Sequence, residues 1–132
     1  MTDAELQMIE EELGFVLPSF YKATMRNYPF AGEAEPMLSD DPRDVIDLNI
    51  GGLELEGVGC PFFVGNDKNE KVYFLDAVEP LSPVYCSEGE TGRHAIQAGS
   101  WGKYLSQIRQ SRKARGLDTV GIGQAAGKWW PF

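Results

Sequence analysis

Few residues of this chain have a type and a setting that could support catalysis, and the first to consider is His94, its single histidine. A histidine titrates near neutral pH and can act as a general base when a neighbouring group orients it. His94 directly follows Arg93 at the end of a turn-rich segment, SEGETG. This setting favours a surface or half-buried residue over a general base.

Two glycine-containing motifs are close to known sites for covalent or cofactor chemistry. The segment GSWG, residues 99–102, lacks the G-x-S-x-G spacing that exposes a nucleophilic serine, so Ser100 is better explained as a helix cap. The segment GIGQAAG, residues 121–127, approaches a dinucleotide-binding fingerprint, but its last gap is one residue too long. Only five residues follow it, too few for the helix that would hold a pyrophosphate. We therefore expect no bound cofactor.

Adjacent carboxylates offer another route to catalysis, because acid–base chemistry often uses two acids with well-separated pKa values. The chain has such pairs at Asp40 and Asp41 and at Glu88 and Glu90. Both pairs lie in predicted loops, and no spacing requires either acid to be held desolvated against the other. We expect no catalytic residue and no enzymatic activity.

The cysteines and the N-terminal segment indicate the cellular compartment in which the protein is expected. Cys60 and Cys86 lie far apart, and one histidine completes no metal-ligand set, so we expect free, mostly buried thiols. The N-terminal MTDAELQMIEEE has neither the basic nor the apolar region of a secretion signal. No run approaches the roughly 18 apolar residues of a membrane helix. We expect a cytoplasmic protein without membrane contact.

The net charge of −8 is unevenly distributed along the chain. Residues 1–56 contain 13 acidic and 3 basic residues, a net charge of −10, whereas residues 57–132 contain 7 acidic and 9 basic ones, a net charge of +2. An acidic surface repels phosphates, which argues against direct nucleic-acid binding, and it favours a basic partner. The alternative is that these acids only keep the protein soluble.

The opening stretch predicts two short helices joined by a corner. Thr2 and Glu5 have the spacing of a capping box, so a helix should start directly after Thr2. Gly14 suits the left-handed position that ends such a helix. Pro18 suits the first position of a second helix, and Leu17 should anchor the connection in the core. We expect this corner to be structural.

The remainder alternates turn signals with short β-rich runs. Residues 29–41, PFAGEAEPMLSDD, suit an exposed loop, and Asp41 and Pro42 suit the start of a short helix. Ser100 should cap the last helix. Strands are predicted at residues 62–64, 72–75, 84–86 and 94–96, the first two forming a hairpin. The sequence therefore predicts an α+β fold, with an antiparallel sheet of about four to six strands flanked by N-terminal and C-terminal helices.

Two features of the C-terminal region remain open to alternatives. The last predicted helix carries four cations near its end, Arg109, Arg112, Lys113 and Arg115. They suit the negative end of the helix dipole, and the alternative is that they form a nucleic-acid-binding surface. The length predicts one domain over residues 1–132, with residues 117–132 as a tail. Trp129 and Trp130 in this tail should dock on their own domain, the alternative being contact with a partner.

Five segments, in order, resemble the SUKH superfamily, which includes fungal cell-wall-synthesis regulators and many bacterial immunity proteins. The first, LGFVLPSFYKATMRN after an acidic helix, is similar to the helix–LP–helix opening of that group. DPRDVIDLN is similar to its next short helix, FFVGNDKNEKVYFLD to its central hairpin and SPVYCSEGE to the following strand. IQAGSWGKYLSQI looks like its last helix. The resemblance covers about residues 3–115.

The resemblance implies a protein-binding module, most simply an immunity-type protein that occludes the catalytic domain of a toxin. It also allows an intracellular regulatory or scaffolding domain, and a hydrolase or small-molecule binder is a third hypothesis. The implied partner is a basic toxin domain such as a nuclease, bound by a monomer. The residues expected to bind it are Glu33, Glu35, Asp40, Asp41, Asp44, Trp129 and Trp130.

Overall fold

The structure is a computed structural model, and it describes residues 1–30, 34–50, 55, 57–67, 71–88 and 93–116. The helices are α1 (Asp3–Leu13), α2 (Ser19–Arg26), α3 (Pro42–Asn49) and α4 (Trp101–Ala114). The strands are β1 (Pro61–Asn66), β2 (Lys71–Asp76), β3 (Val84–Glu88) and β4 (His94–Ala98). They form one antiparallel sheet in the order β1-β2-β3-β4, which confirms the predicted α+β class.

The caps predicted at the start and end of α1 are present. Thr2 accepts a hydrogen bond from Glu5 N at 3.1 Å, and the Glu5 carboxylate accepts one from Thr2 N at 2.8 Å. Gly14 has a φ of 80° and donates from its backbone to the Glu10 carbonyl. This left-handed conformation is one that a residue with a Cβ adopts at a cost, so glycine ends the helix here.

The predicted corner between α1 and α2 is present in the structure, but one detail of the prediction is wrong. Pro18 is the N-cap of α2, not its first residue, because its backbone is extended at φ −58° and ψ 141°. Its carbonyl accepts the first helical hydrogen bond, from Lys22 N at 3.1 Å. Glu10 secures the corner by accepting from Leu17 N at 2.8 Å and from Lys22 Nζ at 3.2 Å. Leu17 itself is 2% exposed, as predicted for a core anchor.

One face of the sheet carries the main core. The residues it buries against the helices come from alternate positions of the strands, as the two-residue period of a strand requires. Helices α1, α2, α3 and α4 contribute the opposite half of this core. Its fully or almost fully buried members include Leu6, Ile9, Tyr21, Met25, Val45, Phe62, Val64, Tyr73, Leu75, Val84, Tyr104, Leu105 and Ile108.

The opposite, outer face of the sheet holds a smaller apolar cluster. Phe63 and Phe74 are buried there under Leu55, with Val58 and Tyr85 partly buried around them. Their rings lie close together, with the Phe63 and Phe74 centroids 5.2 Å apart. Both faces of the sheet therefore carry apolar residues, but the outer face is the thinner layer.

Two further observations concern the chemistry of the chain. Cys60 and Cys86 are free and half-buried, and burial raises the pKa of each thiol above its ordinary value. Within the described ranges, no helix combines the length and the apolar composition needed to cross a membrane.

Candidate functional site

An open cleft of about 1090 Å³ lies between α1, α3 and the segment 34–41 that precedes α3. Segment 34–41 and the first two turns of α3 supply most of its lining. The residues around it are Glu5, Tyr28, Phe30, Ala34, Glu35, Pro36, Ser39, Asp40, Asp41, Pro42, Asp44, Asp47, Leu48 and Asn66. Six of these fourteen carry carboxylates, so we call this feature the acidic cleft.

Segment 34–41 is held against the edge of the sheet by backbone hydrogen bonds. Ser39 N donates to the Val64 carbonyl at 3.1 Å, and Asn66 N donates to the Pro36 carbonyl at 2.9 Å. Gly65 permits this approach, because a Cβ at its position would lie 2.3 Å from the Pro36 carbonyl oxygen. One wall of the cleft is therefore attached to strand β1 through its backbone.

Two tyrosines, one half-buried and one fully buried, also bond to the backbone of this segment. Tyr28 donates its hydroxyl hydrogen to the Leu38 carbonyl, and Tyr104 in α4 donates to the Met37 carbonyl. Leu38 is fully buried between them. A segment with three acids and one proline is thus fixed by contacts with both the sheet and α4.

The position of Glu35 corrects the prediction that residues 29–41 form an exposed loop. Glu35 is 3% exposed and lines the floor of the cleft. Its Oε1 accepts from Arg112 Nη1 at 3.2 Å and from Arg115 Nη2 at 2.9 Å, while Oε2 accepts from Met37 N at 3.1 Å. The exposed-loop prediction is wrong at this residue because two arginines from α4 and its C-terminal cap compensate the buried charge.

Aromatic packing accompanies this ion pair. The guanidinium carbons of Arg112 and Arg109 lie 5.3 Å and 6.0 Å from the centre of the Phe30 ring, within the range of cation–π attraction. Phe30 is 5% exposed and Arg112 is fully buried. The cations expected to complement the helix dipole therefore also hold the floor of the cleft.

Three of the predicted partner-binding residues converge at the rim of the cleft. Asp41 is the N-cap of α3, and its Oδ1 accepts from Arg43 N at 2.9 Å, as the sequence predicted. Asp40 precedes it and is half exposed, and Asp44 follows in the first turn of the helix and is also exposed. These carboxylates line the same opening.

Two further acids at the same rim were not singled out from the sequence. Asp47 lies one turn after Asp44, and residues three apart on a helix share a face, so this spacing could have identified it. Glu5 was assigned only to the capping box of α1. It reaches the cleft because α1 packs beside α3, a tertiary contact that no local signal indicates.

The acids of the cleft lie close enough to shift the pKa values of neighbouring groups. The backbone hydrogen bond from Thr2 lowers the pKa of Glu5, and nearby Asp41 opposes that shift. Burial raises the pKa of the Tyr28 phenol well above its ordinary value, and the carboxylates of Asp40 and Glu35 raise it further. The carboxylates of the cleft therefore act on their neighbours, while Glu35 is paired with two arginines and Asp40 lies 3.5 Å from the Met1 ammonium.

The remaining residues considered from the sequence either lie outside the described part of the chain or lie away from this cleft. Glu33, Trp129 and Trp130 lie outside the residues that the structure describes. His94 lies on the outer face of the sheet, where its ring contacts those of Phe74 and Tyr85 at centroid distances of 5.8 Å and 5.6 Å. The single imidazole and the acidic cleft are therefore in different places.

The chemistry available to the cleft follows from its carboxylates. Among the described residues, no three histidine, cysteine, aspartate or glutamate side chains are arranged to hold a metal ion. The rim acids are instead spread along the opening. Such an arrangement can accept hydrogen bonds from several lysine or arginine side chains at once.

Comparison of the chain with protein-family models, with curated proteins and with solved structures finds no match. The geometry of the cleft and the sequence motifs are therefore the basis for a functional assignment.

Proposed function

We propose that this chain is a protein-binding module of the immunity type, which binds a basic toxin domain in the acidic cleft and occludes its catalytic surface. The observation that carries this proposal is the convergence of Asp40, Asp41 and Asp44 at one rim, joined by Glu5 and Asp47. Four of these five acids lie within residues 40–47, and Glu5 joins them from α1. Their grouping therefore reflects both the start of α3 and the packing of α1 beside α3.

Charge of one sign around a concave surface favours a partner of the opposite sign. Clustered charges raise the rate at which a complementary partner associates, by about 10-fold to 1000-fold at low ionic strength. Enzymes that act on nucleic acids need basic surfaces to hold phosphates, and an acidic protein can cover such a surface. This complementarity supports a nuclease-type toxin as the partner.

The rigidity of the cleft also supports a binding role. Segment 34–41 is fixed by backbone bonds to Val64 and Asn66 and by two tyrosine hydroxyls. A binding surface that is already ordered loses less conformational entropy when a partner binds. Loops on a rigid scaffold are also where recognition residues are concentrated.

The resemblance to the SUKH superfamily connects this surface with toxin neutralisation. The segment preceding α3 corresponds to the part of that group that varies most, and variable loops are suited to distinguishing one toxin from another. The same fold could serve a regulatory or scaffolding domain, whose partner would not be a toxin. An experiment must therefore separate the acidic-cleft interaction from the class of its partner.

A neutralisation assay with matched charge variants makes this separation. The toxin domain encoded beside this gene is expressed with the wild-type chain, and both cell growth and toxin activity are measured. We expect protection by the wild type and weakened protection by Asp40→Asn/Asp41→Asn/Asp44→Asn. The control Glu11→Gln/Glu12→Gln/Glu79→Gln neutralises three exposed acids that do not line the cleft, and it should protect fully.

Two outcomes would contradict the proposal in different ways. If no toxin is encoded nearby, or the chain does not protect against it, the immunity assignment fails. If the wild type protects and the cleft variant protects equally well, the immunity assignment stands but the acidic cleft is not the binding surface.

A further inference from the structure

The two edges of the sheet are covered to different extents. Strand β1 is closed along its outer side by segment 34–41 and also by Asn49 of α3. The Asn49 side chain accepts from Phe63 N at 2.8 Å and donates to the Phe63 carbonyl at 2.9 Å. With the bonds at Val64 and Asn66, every position from Phe63 to Asn66 except Gly65 has a hydrogen-bonded backbone group on this side.

Strand β4 forms the other edge, and the residues that the structure describes cover it far less. Among the described residues, Gln107 is the side chain that bonds to its backbone, donating from Nε2 to the Gln97 carbonyl at 3.0 Å. A second bond joins the two amide side chains, from Gln97 Nε2 to Gln107 Oε1 at 2.9 Å. A carbonyl oxygen has two lone pairs, so this contact leaves the Gln97 oxygen able to accept another hydrogen bond.

An apolar row on the outer face runs directly to this edge. Phe63 pairs with Phe74, Phe74 with Tyr85 and Tyr85 with Ile96, one residue from each strand. Exposure is 4% at Phe63 and 0% at Phe74, but it reaches 64% at Ile96. The row is therefore buried at the covered edge and open to solvent at β4.

The composition of β4 does not protect it from pairing. Exposed edge strands usually carry lysine or another charge, a proline or a distorting bulge that discourages a further strand. The sequence of β4 is HAIQA, without an acidic residue, lysine, arginine or proline. One irregularity is present, between Ala98 and Ile96, and it lies at the end of the strand nearest α4.

We propose that the β4 edge pairs with the β4 edge of a second copy of this chain, in antiparallel orientation about a two-fold axis at Ile96. In this register Ile96 lies opposite Ile96 of the second copy, Ala95 opposite Gln97 and His94 opposite Ala98. Residues directly opposite in an antiparallel pair point to the same face. The two apolar rows would then join into one row across eight strands.

The charge distribution favours a second copy as the occupant despite the net charge of −8. The two strands contain no aspartate, glutamate, lysine or arginine, and in this register His94 lies opposite Ala98, so no two charged side chains of the strands lie directly opposite each other. The acidic cleft borders β1, since Asn66 lines it, and two other strands separate β1 from β4. Pairing at β4 would leave both clefts open at the far ends of the dimer, so this inference is independent of the proposed function.

Sedimentation analysis of the full chain tests the proposal. We expect a monomer–dimer equilibrium in the wild type between low and several hundred micromolar, and a monomer throughout this range for Ile96→Lys. Ile96 is largely exposed, so the folded monomer should tolerate the change, which circular dichroism can check. Leu81→Lys is the matched control at a residue 91% exposed outside the sheet, and it should dimerise as the wild type does.

Hydrogen exchange distinguishes a second copy from other occupants of the edge. The β4 amides should become more protected as the wild-type concentration rises, and this increase should be lost in Ile96→Lys. A wild type that stays monomeric at the highest concentration overturns the proposal. Concentration-independent protection in that monomer would mean that another part of the same chain covers the edge. A dimer that persists unchanged in Ile96→Lys would also overturn it.

Discussion

Arg112 Nη1 lies 3.2 Å from Glu35 Oε1, and the two side chains are only 0% and 1% exposed. The residues are 77 positions apart, so this ion pair ties the last helix to the floor of the acidic cleft. Arg115, whose side chain is 46% exposed, contacts the same oxygen at 2.9 Å. The carboxylate is therefore shared between a buried and a partly solvated arginine.

The first prediction concerns removal of the buried charge at Glu35. Glu35→Gln leaves Arg112 buried without a compensating carboxylate, so the free energy of unfolding should fall by about 3–5 kcal/mol. Urea denaturation followed by circular dichroism measures this change. Lys113→Gln is the control, since Lys113 is exposed in the same turn of α4, and it should change stability by less than about 0.5 kcal/mol.

A double substitution separates the ion pair from simple packing. Glu35→Leu/Arg112→Met removes both charges, and we expect it to be more stable than Glu35→Gln because no unpaired charge remains buried. If Glu35→Gln were as stable as the wild type, the pairing of Glu35 with Arg112 would not be maintained in solution.

The second prediction concerns the helical corner. Leu17→Ala removes a side chain that is 2% exposed and leaves a cavity, so it should cost about 2–5 kcal/mol. Val16→Ala is the control in the adjacent residue, which is 73% exposed, and it should cost less than about 0.5 kcal/mol. Equal melting temperatures for Leu17→Ala and wild type would show that this corner does not belong to the core.

The third prediction tests the attachment of segment 34–41 to strand β1. In Gly65→Ala the new methyl group would collide with the Pro36 carbonyl, and overpacking of this kind typically costs about 1–3 kcal/mol. Gly99→Ala is the control, because its methyl group would meet nothing closer than Lys103 Nζ at 3.9 Å. Thermal denaturation compares the two. Equal stabilities would mean that the segment does not pack closely on β1.

The fourth prediction concerns alkaline pH. Burial raises the pKa values of four phenols, those of Tyr21, Tyr28, Tyr73 and Tyr104. In the unfolded chain these groups ionise near about pH 10, so the unfolded state loses protons first and stability should fall as the pH rises above that value. Urea denaturation at a series of pH values from neutral to strongly alkaline measures the decline.

Two tyrosine variants identify the source of that decline. The Tyr21 hydroxyl is buried and has no hydrogen-bond partner among the described residues, so Tyr21→Phe should preserve stability at neutral pH and reduce the alkaline loss. Tyr104→Phe gives up the bond to Met37 and should already cost about 0.5–1.5 kcal/mol at neutral pH. If the stability of Tyr21→Phe fell with rising pH as steeply as that of the wild type, the raised pKa of Tyr21 would not contribute to the alkaline loss.

Local signals in the sequence account for most of the fold. The caps at Thr2, Gly14, Asp41 and Ser100 place helix ends through contacts within a few residues, and the structure contains all four. The hairpin of β1 and β2 follows from two β-rich runs around a polar turn. Pro18 was misplaced by one position because proline suits both the N-cap region and the first helical turn, and only the backbone conformation distinguishes them.

The site was less predictable because its decisive contacts are distant in sequence. Asp40, Asp41 and Asp44 were identified from their crowding near a helix start. The burial of Glu35 depends on Arg112 in the last helix, and a polar segment offers no local sign of such a partner. The position of Glu5 beside Asp41 likewise depends on the packing of α1 against α3.

The association rate between this chain and its toxin domain, measured at low and high salt, tests the acidic-cleft account most directly. Asp40→Asn/Asp41→Asn/Asp44→Asn keeps the helix cap, since asparagine also caps well, but removes three charges from the rim. We expect its association rate at low salt to fall by about 10-fold or more and to lose most of its salt dependence. The control Glu11→Gln/Glu12→Gln/Glu79→Gln should associate like the wild type. An on-rate and a salt dependence equal to those of the wild type in the cleft variant would contradict the account.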